Sequence, residues 1–424
     1  MPTYQSRVVD TELDELLREL PAITLEGPKG VGKTATAVRR ARSVFQLDDT
    51  AQRELANADP SLVVSAAAPV LVDEWQHAPA VWDAVRRAVD RDTSPNRFLL
   101  TGSASLANPP THSGAGRIVS VRMRPMALSE RGLVEPTVKL TEMLSGTKPR
   151  IDGESPVDLA AYAHEIVTSG FPGIRHLSGR SIRAQLNGYL QRVIDRDFSE
   201  QGHTVRRPDT LRRWMAAYAA ATAGTAALEQ IRDAATAGDG ATPTRVTVTA
   251  YRDVLERLWL LDPVAGWAPS RNQFARLAQA PKHHLADPAL AARLLGVDEG
   301  ALLSGAPGSP TLPRDGTLLG QLFESLVALS VRVLAQAAEA TVHHLRTKEG
   351  RQEVDLIVER QDRRVVAIEV KLSATVGDDD VRHLHWLADR LGEDLLDAVV
   401  VTTGRHAYRR TDGIAVVPAA LLGP

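Results

Sequence analysis

The chain has 424 residues, of which 43% are hydrophobic, and a formal net charge of −2 at pH 7. This length predicts about two or three domains, each with enough apolar residues for a proper core. The near-zero charge excludes a basic field over the whole surface, so any nucleic-acid site must be a local patch.

The expected location of the protein is the cytoplasm. The absence of cysteine excludes disulfides and thiolate metal sites and fits a reducing compartment. Acidic residues alternate with leucines near the N-terminus, which is unlike a signal peptide. The apolar stretch at residues 62–72 is too short to cross a bilayer. We therefore expect a soluble cytoplasmic protein without a membrane partner.

Lysine is rare in this chain, with seven lysines among its 50 basic residues. Arginine evidently serves wherever a generic cation suffices. A lysine retained inside a motif therefore indicates a need for a compact point charge or a titratable amine. Lys33 and Lys371 both lie in such motifs.

The first motif is a glycine-rich loop between a predicted strand at residues 22–25 and a predicted helix at residues 35–41. It fits the phosphate-binding pattern G-x-x-x-x-G-K-[ST] with Gly27, Pro28, Lys29, Gly30, Val31, Gly32, Lys33 and Thr34. Glycines let backbone N–H groups point at an anion, and the helix N-terminus adds partial positive charge. In this motif Lys33 reaches the outer phosphates of ATP and Thr34 holds Mg²⁺. The sequence predicts an α/β domain with a parallel sheet that binds ATP and Mg²⁺.

Two acids follow the next strands of this domain. Residues 43–49 form a predicted second strand, and an apolar run at residues 69–72 ends in Asp73 and Glu74. The carboxyl ends of buried parallel strands are where ligands bind. There Asp73 can hold the Mg²⁺ water shell and Glu74 can act as the general base. The alternative is a strand capped by solvated acids.

A further predicted strand, residues 97–103, carries Thr101 and Ser103 at its end. It resembles the sensor strand of AAA-type ATPases, whose polar end lies between the catalytic acid and the γ-phosphate. An ordinary turn is the alternative.

Arg117, just before an apolar strand at residues 118–123, is a candidate arginine finger, acting in its own subunit or in a neighbour of a homo-oligomer.

The middle of the chain is predicted to be helical. Residues 126–197 read as helices and loops with a turn at residues 170–173, which could cover the nucleotide, and the Arg196-Asp197 pair reads as a surface ion pair. Helical patterns at residues 211–220, 228–235 and 249–261 fit a winged helix-turn-helix or, equally, a small alanine-rich bundle. In the first case the candidate phosphate contacts are Arg206, Arg207, Arg212 and Arg213.

Two other features of the middle carry less information. The adjacent His283 and His284 would point to opposite faces of a strand, so we do not predict that they share a metal ion. Residues 304–316 are rich in glycine and proline and are expected to form a loop or linker.

A second constellation lies near the C-terminus. Residues 352–359 and 365–371 form two predicted strands joined by a polar turn. Alternation places Glu369 and Lys371 on one face, and Asp355 can lie beside them. Charges within apolar strands are costly unless they are paired or bind metal, so this cluster requires an explanation.

The pattern Asp355…Glu369-x-Lys371, preceded by a helix that carries Glu324, resembles the PD-(D/E)xK nuclease fold. The resemblance implies that Asp355 and Glu369 are Mg²⁺ ligands, that Glu324 is an outer ligand and that Lys371 is the catalytic amine. Metal-assisted phosphodiester cleavage needs such oxygen ligands and a cation. The same fold also occurs as an inactive interaction module.

As a whole, the chain resembles a prokaryotic family in which an AAA-type ATPase precedes an uncharacterised C-terminal domain. The resemblance implies four parts: an ATPase core at residues 1–135, a helical lid or connector at 136–200, a winged-helix-like region at 201–303 and a nuclease-like α/β domain at 317–424.

Two functional hypotheses follow. The first is an ATP-driven switch or motor coupled to a C-terminal domain that either binds or both binds and cuts DNA or RNA. The alternative is a regulatory ATPase whose C-terminal half is an inactive module for an unknown protein partner, which the near-neutral charge favours.

Overall fold

The computed structural model describes residues 4–103, 114–236, 242–269, 279–303, 316–347 and 350–424. The linker expected at residues 304–316 lies outside this part of the chain, apart from Gly316, which begins a helix. Residues 237–241, between the second and third predicted helices of the middle, also lie outside it.

The N-terminal part is built on a five-stranded sheet. Its strands are β1 (Ala22–Glu26), β2 (Ser43–Gln46), β3 (Val70–Asp73), β4 (Phe98–Gly102) and β5 (Val119–Arg122). The spatial order is β2-β3-β4-β1-β5, and every neighbouring pair is parallel. Strands β3 and β4 are buried along their whole length, as expected for apolar runs covered on both faces.

Helices cover this sheet on both sides. They are α1 (Val8–Leu16), α2 (Lys33–Val38), α3 (Thr50–Ala58), α4 (Ser61–Val64) and α5 (Pro79–Arg91). Side chains that point to one face of the sheet, such as Val72 and Leu100, pack with Val81 and Val85 of α5. This parallel arrangement brings the carboxyl ends of β1, β3 and β4 to one edge of the sheet, where the glycine-rich loop begins.

The next part of the chain is mainly helical. It contains β6 (Val138–Lys139), α6 (Leu140–Leu144), β7 (Gly153–Glu154), α7 (Leu159–Thr168), α8 (Pro172–Arg175) and α9 (Gly179–Arg192). After α9 the helix widens into a π turn, Val193–Asp197, and then closes again in α10 (Phe198–Glu200). A π turn within an α-helix frequently marks a functional position, because it changes the direction of the side chains that follow.

Three helices and two extended segments follow. The helices are α11 (Pro208–Ala220), α12 (Leu228–Ala234) and α13 (Arg245–Arg257). The segment after α13 pairs with a later one through antiparallel bridges between Leu261 and Leu285 and between Val264 and Lys282. A third bridge joins Thr222, between α11 and α12, to His283. This element order is compatible with the winged-helix interpretation, which stays a prediction.

The later of these extended segments, residues 280–287, leads into two short helices. They are α14 (Pro288–Leu295) and α15 (Glu299–Leu303). Asp287 caps α14, since its side chain accepts a hydrogen bond of 2.8 Å from the backbone N–H of Ala289.

The C-terminal part is an α/β unit around an eight-stranded sheet. It comprises α16 (Gly316–Ala337), β9 (Thr341–Arg346), β10 (Glu353–Glu359), β11 (Val365–Lys371), α17 (Asp378–Leu391), β12 (Leu395–Thr402), β13 (His406–Arg409), β14 (Ala415–Pro418) and β15 (Leu422–Gly423). Strands β10 and β11 form the predicted antiparallel hairpin, and β11 and β12 are parallel. The α/β class predicted from the sequence, with a parallel N-terminal sheet, a helical middle and an α/β C-terminal region, is confirmed.

Short strands from earlier in the chain complete the C-terminal sheets. Strand β7 pairs with β13 at one edge of the large sheet, and β8 (Ala265–Trp267) pairs with β9 at the other. Strand β6 pairs with β15 in a separate two-stranded sheet. The middle of the chain is therefore bound to the C-terminal part by backbone hydrogen bonds at several points.

One helix among the described residues is long and apolar enough to cross a membrane by length and composition. It spans Leu318–Ala337 within α16, with a mean hydropathy of 1.6, and 67% of it is buried inside the protein. This stretch is longer than the apolar run at residues 62–72, from which no membrane-crossing segment was predicted. Helix α16 packs against α1, α7 and strands β9 and β11. A buried core helix can be as long and as apolar as a membrane-spanning helix, so length and composition alone are weak evidence for a membrane span.

A buried carboxylate joins the N-terminal sheet to this helix. Asp262, which is 5% exposed, is 2.6 Å from the guanidinium of Arg332 on α16, 2.9 Å from that of Arg124 and 3.1 Å from that of Arg122 on β5. Burial alone would raise the pKa of Asp262, but the three guanidinium groups hold it well below its usual range.

We expect Asp262→Asn to lower the free energy of unfolding by about 3–5 kcal/mol, because it leaves three arginines around a neutral amide. The urea midpoint at neutral pH measures this loss. Because the folded-state pKa is depressed, the contribution of Asp262 is complete above the unfolded pKa of about 4 and is lost as the pH falls further.

Asp152→Asn is the matched control. Its partner Arg150 is 87% exposed, and we expect a change of about 0.5 kcal/mol or less. Equal effects of the two substitutions would contradict a structural role for Asp262.

Candidate functional site: a phosphate-binding loop and a C-terminal acid cluster

The glycine-rich loop lies between β1 and α2, as predicted. Gly30 and Gly32 have φ values of 85° and 102°, a backbone conformation that L side chains rarely adopt. At Gly27 the carbonyl oxygen of Met123 leaves no room for a Cβ atom. Glycine is therefore required at these positions by conformation or by the close approach of the backbone.

Lys33 is the buried cation of this loop. Its Nζ donates to the carbonyl oxygens of Gly27 and Pro28, at 2.9 Å each. Burial lowers the pKa of Lys33 to about 8, and the nearby Glu74 and Asp73 counteract only part of that shift. An anion bound in the loop would restore the preference of Lys33 for its charged form.

Thr34 and the two acids are at the same edge of the sheet. The hydroxyl of Thr34 donates to Asp73 at 2.8 Å, and the hydroxyl of Thr101 donates to the same carboxylate oxygen. Burial raises the pKa of Asp73, although both hydroxyl groups oppose this change. The structure thus brings together the four residues expected to handle phosphate and metal: Lys33, Thr34, Asp73 and Glu74.

Glu74 is held in a defined position by its neighbours. Its backbone has φ 54°, and its N–H donates to the hydroxyl of Thr101 at 3.1 Å. Ser103 donates to one carboxylate oxygen of Glu74 at 2.7 Å, and Gln76 donates to the other. Thr101 and Ser103, predicted as nucleotide contacts, therefore contact the two acids.

Arg117, the candidate arginine finger, lies on the surface with its side chain 46% exposed. Its Nε is 2.8 Å from Asp90 at the end of α5, and its Nη1 donates to the carbonyl of Ala115. Neither partner belongs to the phosphate-binding loop or to the acid pair. A role at the nucleotide would require this side chain to leave Asp90.

The helical middle contacts the loop through an ion pair. Lys29 of the loop is 2.7 Å from Asp197, in the π turn, and 3.2 Å from Glu200. Tyr189 of α9 donates to the backbone carbonyl of Lys29 at 3.2 Å. Arg196 and Asp197 were predicted to form a surface ion pair, but Arg196 pairs with Glu200 and Asp197 is turned inward to the loop.

Other parts of the chain also support the loop. Arg7 donates to the carbonyl of Val31 at 2.8 Å and pairs with Glu130 at 3.1 Å. A Cβ atom on Gly30 would lie 3.8 Å from the ring of Phe171, and one on Gly32 would lie 3.8 Å from Pro172. The turn at residues 170–173, predicted as part of a cover for the nucleotide, is therefore adjacent to the loop.

These residues fit a nucleotide with Mg²⁺. The loop offers a buried ammonium and backbone N–H groups in a turn whose glycines have positive φ, and Thr34 and Asp73 offer oxygen ligands beside it. Such a set of residues suits a polyphosphate. A bound Mg²⁺ ion would neutralise the negative charge that develops on the phosphate oxygens during hydrolysis.

The predicted C-terminal residues also come together. The Nζ of Lys371 is 2.9 Å from Glu369, and Asp355 accepts a hydrogen bond of 2.9 Å from the backbone N–H of Val370 between them. Burial, with the neighbouring charge of Asp355, raises the pKa of both Glu369 and Glu324 to about 8.

A lysine that the sequence analysis did not assign occupies the centre of this acid cluster. The Nζ of Lys282 is 2.8 Å from Glu324, 2.9 Å from Asp355 and 3.1 Å from Glu353. Burial would lower the pKa of Lys282, but the three carboxylates more than reverse this and hold it well above its ordinary value. The rarity of lysine was a signal that could have drawn attention to it.

The C-terminal cluster does not fit a metal ion in this arrangement. Its carboxylates face the Lys282 ammonium instead of leaving a coordination site, and Lys371 pairs with Glu369. Across the described ranges, no group of three or more His, Asp or Glu side chains is arranged to hold a metal.

The two adjacent histidines have separate partners. His283 contacts the Tyr218 hydroxyl at 3.2 Å and the carbonyl of Ala226 at 2.8 Å, whereas His284 contacts Ser325 on α16 at 3.2 Å. Both help to fix the extended segment that carries Lys282.

Comparisons with known proteins divide the chain into three parts. Residues 19–131 match a family described as an AAA domain, residues 159–301 match a domain of unknown function (DUF8612), and residues 319–422 match a domain of unknown function (DUF4143). The N-terminal part is thus a P-loop ATPase domain of the AAA class. The DUF8612 match spans both the expected connector and the expected winged-helix-like region.

Similar full-length proteins have also been described. They include the uncharacterized proteins Rv2008c of Mycobacterium tuberculosis and Mb2031c of Mycobacterium bovis, each 24% identical over 98% of this chain and 84% of the relative. Among solved structures, the Walker-type ATPase PABY2304 of Pyrococcus abyssi covers 67% of this chain and 94% of its own, with 16% identity and a TM-score of 0.38. That TM-score is too low for the two overall arrangements to be equated.

We expect Asp197→Asn to weaken ATP binding about fivefold, or about 1 kcal/mol, because the loop loses its half-exposed ion pair with Lys29. Titration with a fluorescent ATP analogue measures the change. Asp195→Asn is the matched control, since Asp195 lies in the same π turn but contacts Gln191. Equal affinities of the two variants for ATP would contradict the proposal that Asp197 supports the phosphate-binding loop through Lys29.

Proposed function

We propose that the protein is a Mg²⁺-dependent ATPase that works as a switch, with the phosphate-binding loop as the site of turnover. One observation carries this proposal: Lys33, Thr34, Asp73 and Glu74 gather at the carboxyl edge of the parallel sheet. An ATP-binding fold needs the lysine and the threonine, and hydrolysis also needs the two acids.

Glu74 is the residue best suited to act as the general base. A non-glycine residue with φ near 54° is strained by about 1–3 kcal/mol, and such strain is concentrated at functional positions. Hydrogen bonds from Ser103 and Gln76 fix the carboxylate. A base oriented in this way can take the proton of an attacking water.

The other residues would bind and orient the nucleotide. Lys33 would hold the outer phosphates, and Thr34 with Asp73 would hold the Mg²⁺ ion. Arg117 stays a predicted arginine finger, and assembly of several copies stays a prediction with it.

The Lys29–Asp197 contact suggests how the nucleotide state reaches the rest of the molecule. Lys29 lies in the loop that would surround the phosphates, and its ammonium is 2.7 Å from a carboxylate of the helical middle. The ion pair supports the loop in the arrangement that would receive the phosphates, so a change in the bound phosphates would reach Asp197 through Lys29. Binding and hydrolysis of ATP would therefore alter the position of the π turn.

The decisive test of catalysis compares two variants of the site. Glu74→Gln should retain ATP binding and lower kcat by about 100-fold or more, because the water loses its base. Lys33→Ala should remove ATP binding itself. Turnover is measured by phosphate release and binding by titration of nucleotide-free protein.

Matched controls keep these results interpretable. Glu54→Gln on α3 and Lys139→Ala on β6 alter exposed side chains of the same types and should leave both measurements unchanged. Unchanged turnover in Glu74→Gln, or unchanged affinity in Lys33→Ala, would overturn the assignment.

Nucleic-acid binding by the middle is a second candidate function. Arg206 and Arg207 are exposed and line a cleft of about 510 Å³ together with Thr244, at the start of α13, and Tyr251. Exposed arginines along a cleft suit the phosphate backbone of a nucleic-acid strand. In this version of the proposal, DNA or RNA is what the switch responds to.

If so, single-stranded DNA or RNA should stimulate ATP turnover at low salt, and the paired substitution Arg206→Ala and Arg207→Ala should abolish the stimulation without changing basal turnover. Arg150→Ala, at an exposed arginine elsewhere, is the control. Absence of both stimulation and binding at low salt would exclude this candidate and leave a regulatory ATPase with a protein partner.

A further inference from the structure

The acid cluster of the C-terminal sheet contains its own cation. An ammonium group has three N–H donors, and Lys282 has three carboxylate partners within 3.1 Å. Its side chain is 1% exposed. It donates hydrogen bonds to Glu324 and Asp355 and forms an ion pair with Glu353, so its charge is matched inside the protein.

The backbone around Lys282 is fixed on both sides. Lys282 exchanges two hydrogen bonds of 2.9 Å with Val264 in the antiparallel bridge. Next to it, His344 of β9 contacts the carbonyl of Ala280 at 2.8 Å and His284 contacts Ser325 of α16. The backbone that carries the Lys282 side chain is therefore anchored to its surroundings on both sides.

The identity of the residue agrees with this position. Three carboxylates converge on one nitrogen atom, which suits the compact ammonium of lysine better than the planar fork of arginine. This chain uses arginine for most of its basic residues, so the lysine at position 282 is explained by the need for a compact ammonium among three carboxylates.

A divalent metal ion would have to displace this ammonium. Glu324 and Asp355, two of the three acids that the nuclease resemblance assigns to metal, are both direct partners of Lys282. The third, Glu369, is paired with Lys371. An additional dication among these groups would face two fixed positive charges at short range.

We propose that Lys282 is the resident cation of the C-terminal acid cluster, replacing a metal ion, and that the C-terminal domain is a non-cleaving module anchored to the helical middle through this ion cluster. Residues 280–287 belong to the middle of the chain, whereas Asp355 and Glu353 lie on β10 and Glu324 on α16. The buried ion pairs therefore fasten one part of the chain to the other.

Mn²⁺ binding by the nucleotide-free full-length chain, followed by EPR, tests the proposal. The wild-type protein should bind no Mn²⁺ at the C-terminal cluster, so Asp355→Asn should not reduce the amount of Mn²⁺ that it binds. Lys282→Met, which keeps the length of the side chain but removes its charge, should bind Mn²⁺, and Glu324→Gln in that background should weaken binding about tenfold or more. Lys139→Met, at an exposed lysine, should behave like the original chain.

Mn²⁺ bound by the original chain and lost in Asp355→Asn would overturn the proposal, whether or not Lys282→Met folds. A folded Lys282→Met that binds no Mn²⁺ would also overturn it, because the ammonium would then not be what excludes the metal.

An activity assay provides an independent readout. DNA and RNA incubated with the original chain and Mg²⁺ should remain intact to the same extent as with Lys371→Ala. Cleavage by the original chain that Lys371→Ala abolishes would show a working metal nuclease and contradict the proposal. ATP turnover does not enter either experiment, so a failure of the ATPase proposal is separately recognisable.

Discussion

The buried carboxylate of Asp262 is the constraint on which the relation between the two α/β parts depends. It lies between Arg122 and Arg124, at the end of the last strand of the ATPase sheet, and Arg332 on the long C-terminal helix. A buried charge of this kind tolerates no loss of a partner, because the remaining charges would be left without compensation. The same contacts place the extended segment after α13 between the end of β5 and α16. The nucleotide edge and the C-terminal cluster are therefore held in one fixed relation.

A second buried carboxylate extends this framework to the phosphate-binding loop. Asp287, which is fully buried, accepts hydrogen bonds from the N–H of Gly170 at 2.6 Å and from the hydroxyl of Ser169 at 3.1 Å. Gly170 precedes the Phe171-Pro172 pair that lies against the loop, and Asp287 ends the segment that begins near Lys282. Contiguous contacts thus run from the loop to the acid cluster over a few residues.

Most of the candidate nucleotide site could be predicted from the sequence, because its residues are close together along the chain. Residues 27–34 are contiguous in the chain, and Asp73, Glu74, Thr101 and Ser103 lie at or just after the ends of two strands whose apolar runs are visible in the sequence. Since parallel strands bring their carboxyl ends together, the convergence follows from the strand pattern alone. The hairpin that carries Asp355 and Glu369 could also be predicted, because each of its two strands is visible as an apolar run and side chains alternate between the faces of a strand.

The parts that could not be predicted depend on contacts between distant segments. Lys282 is 42 residues from Glu324 and 73 from Asp355, and no periodicity links them. Lys29 and Asp197 are 168 residues apart, and a π turn, which leaves no clear sequence signature, directs the acid inward. The short strands β6, β7 and β8 have too few residues for a pattern, and only the sheet edges that they complete define them.

The two clusters show how similar residue types serve different purposes. At the N-terminal edge, the buried Lys33 has only two backbone carbonyls as direct acceptors and its pKa falls to about 8, so a phosphate would improve its environment. At the C-terminal cluster, Lys282 has three carboxylates and its pKa is raised, so any incoming cation would make its environment worse. Burial is similar in both places, and the difference lies in whether the charge is already matched. An unmatched buried charge is prepared for a ligand, whereas a matched one holds the structure together.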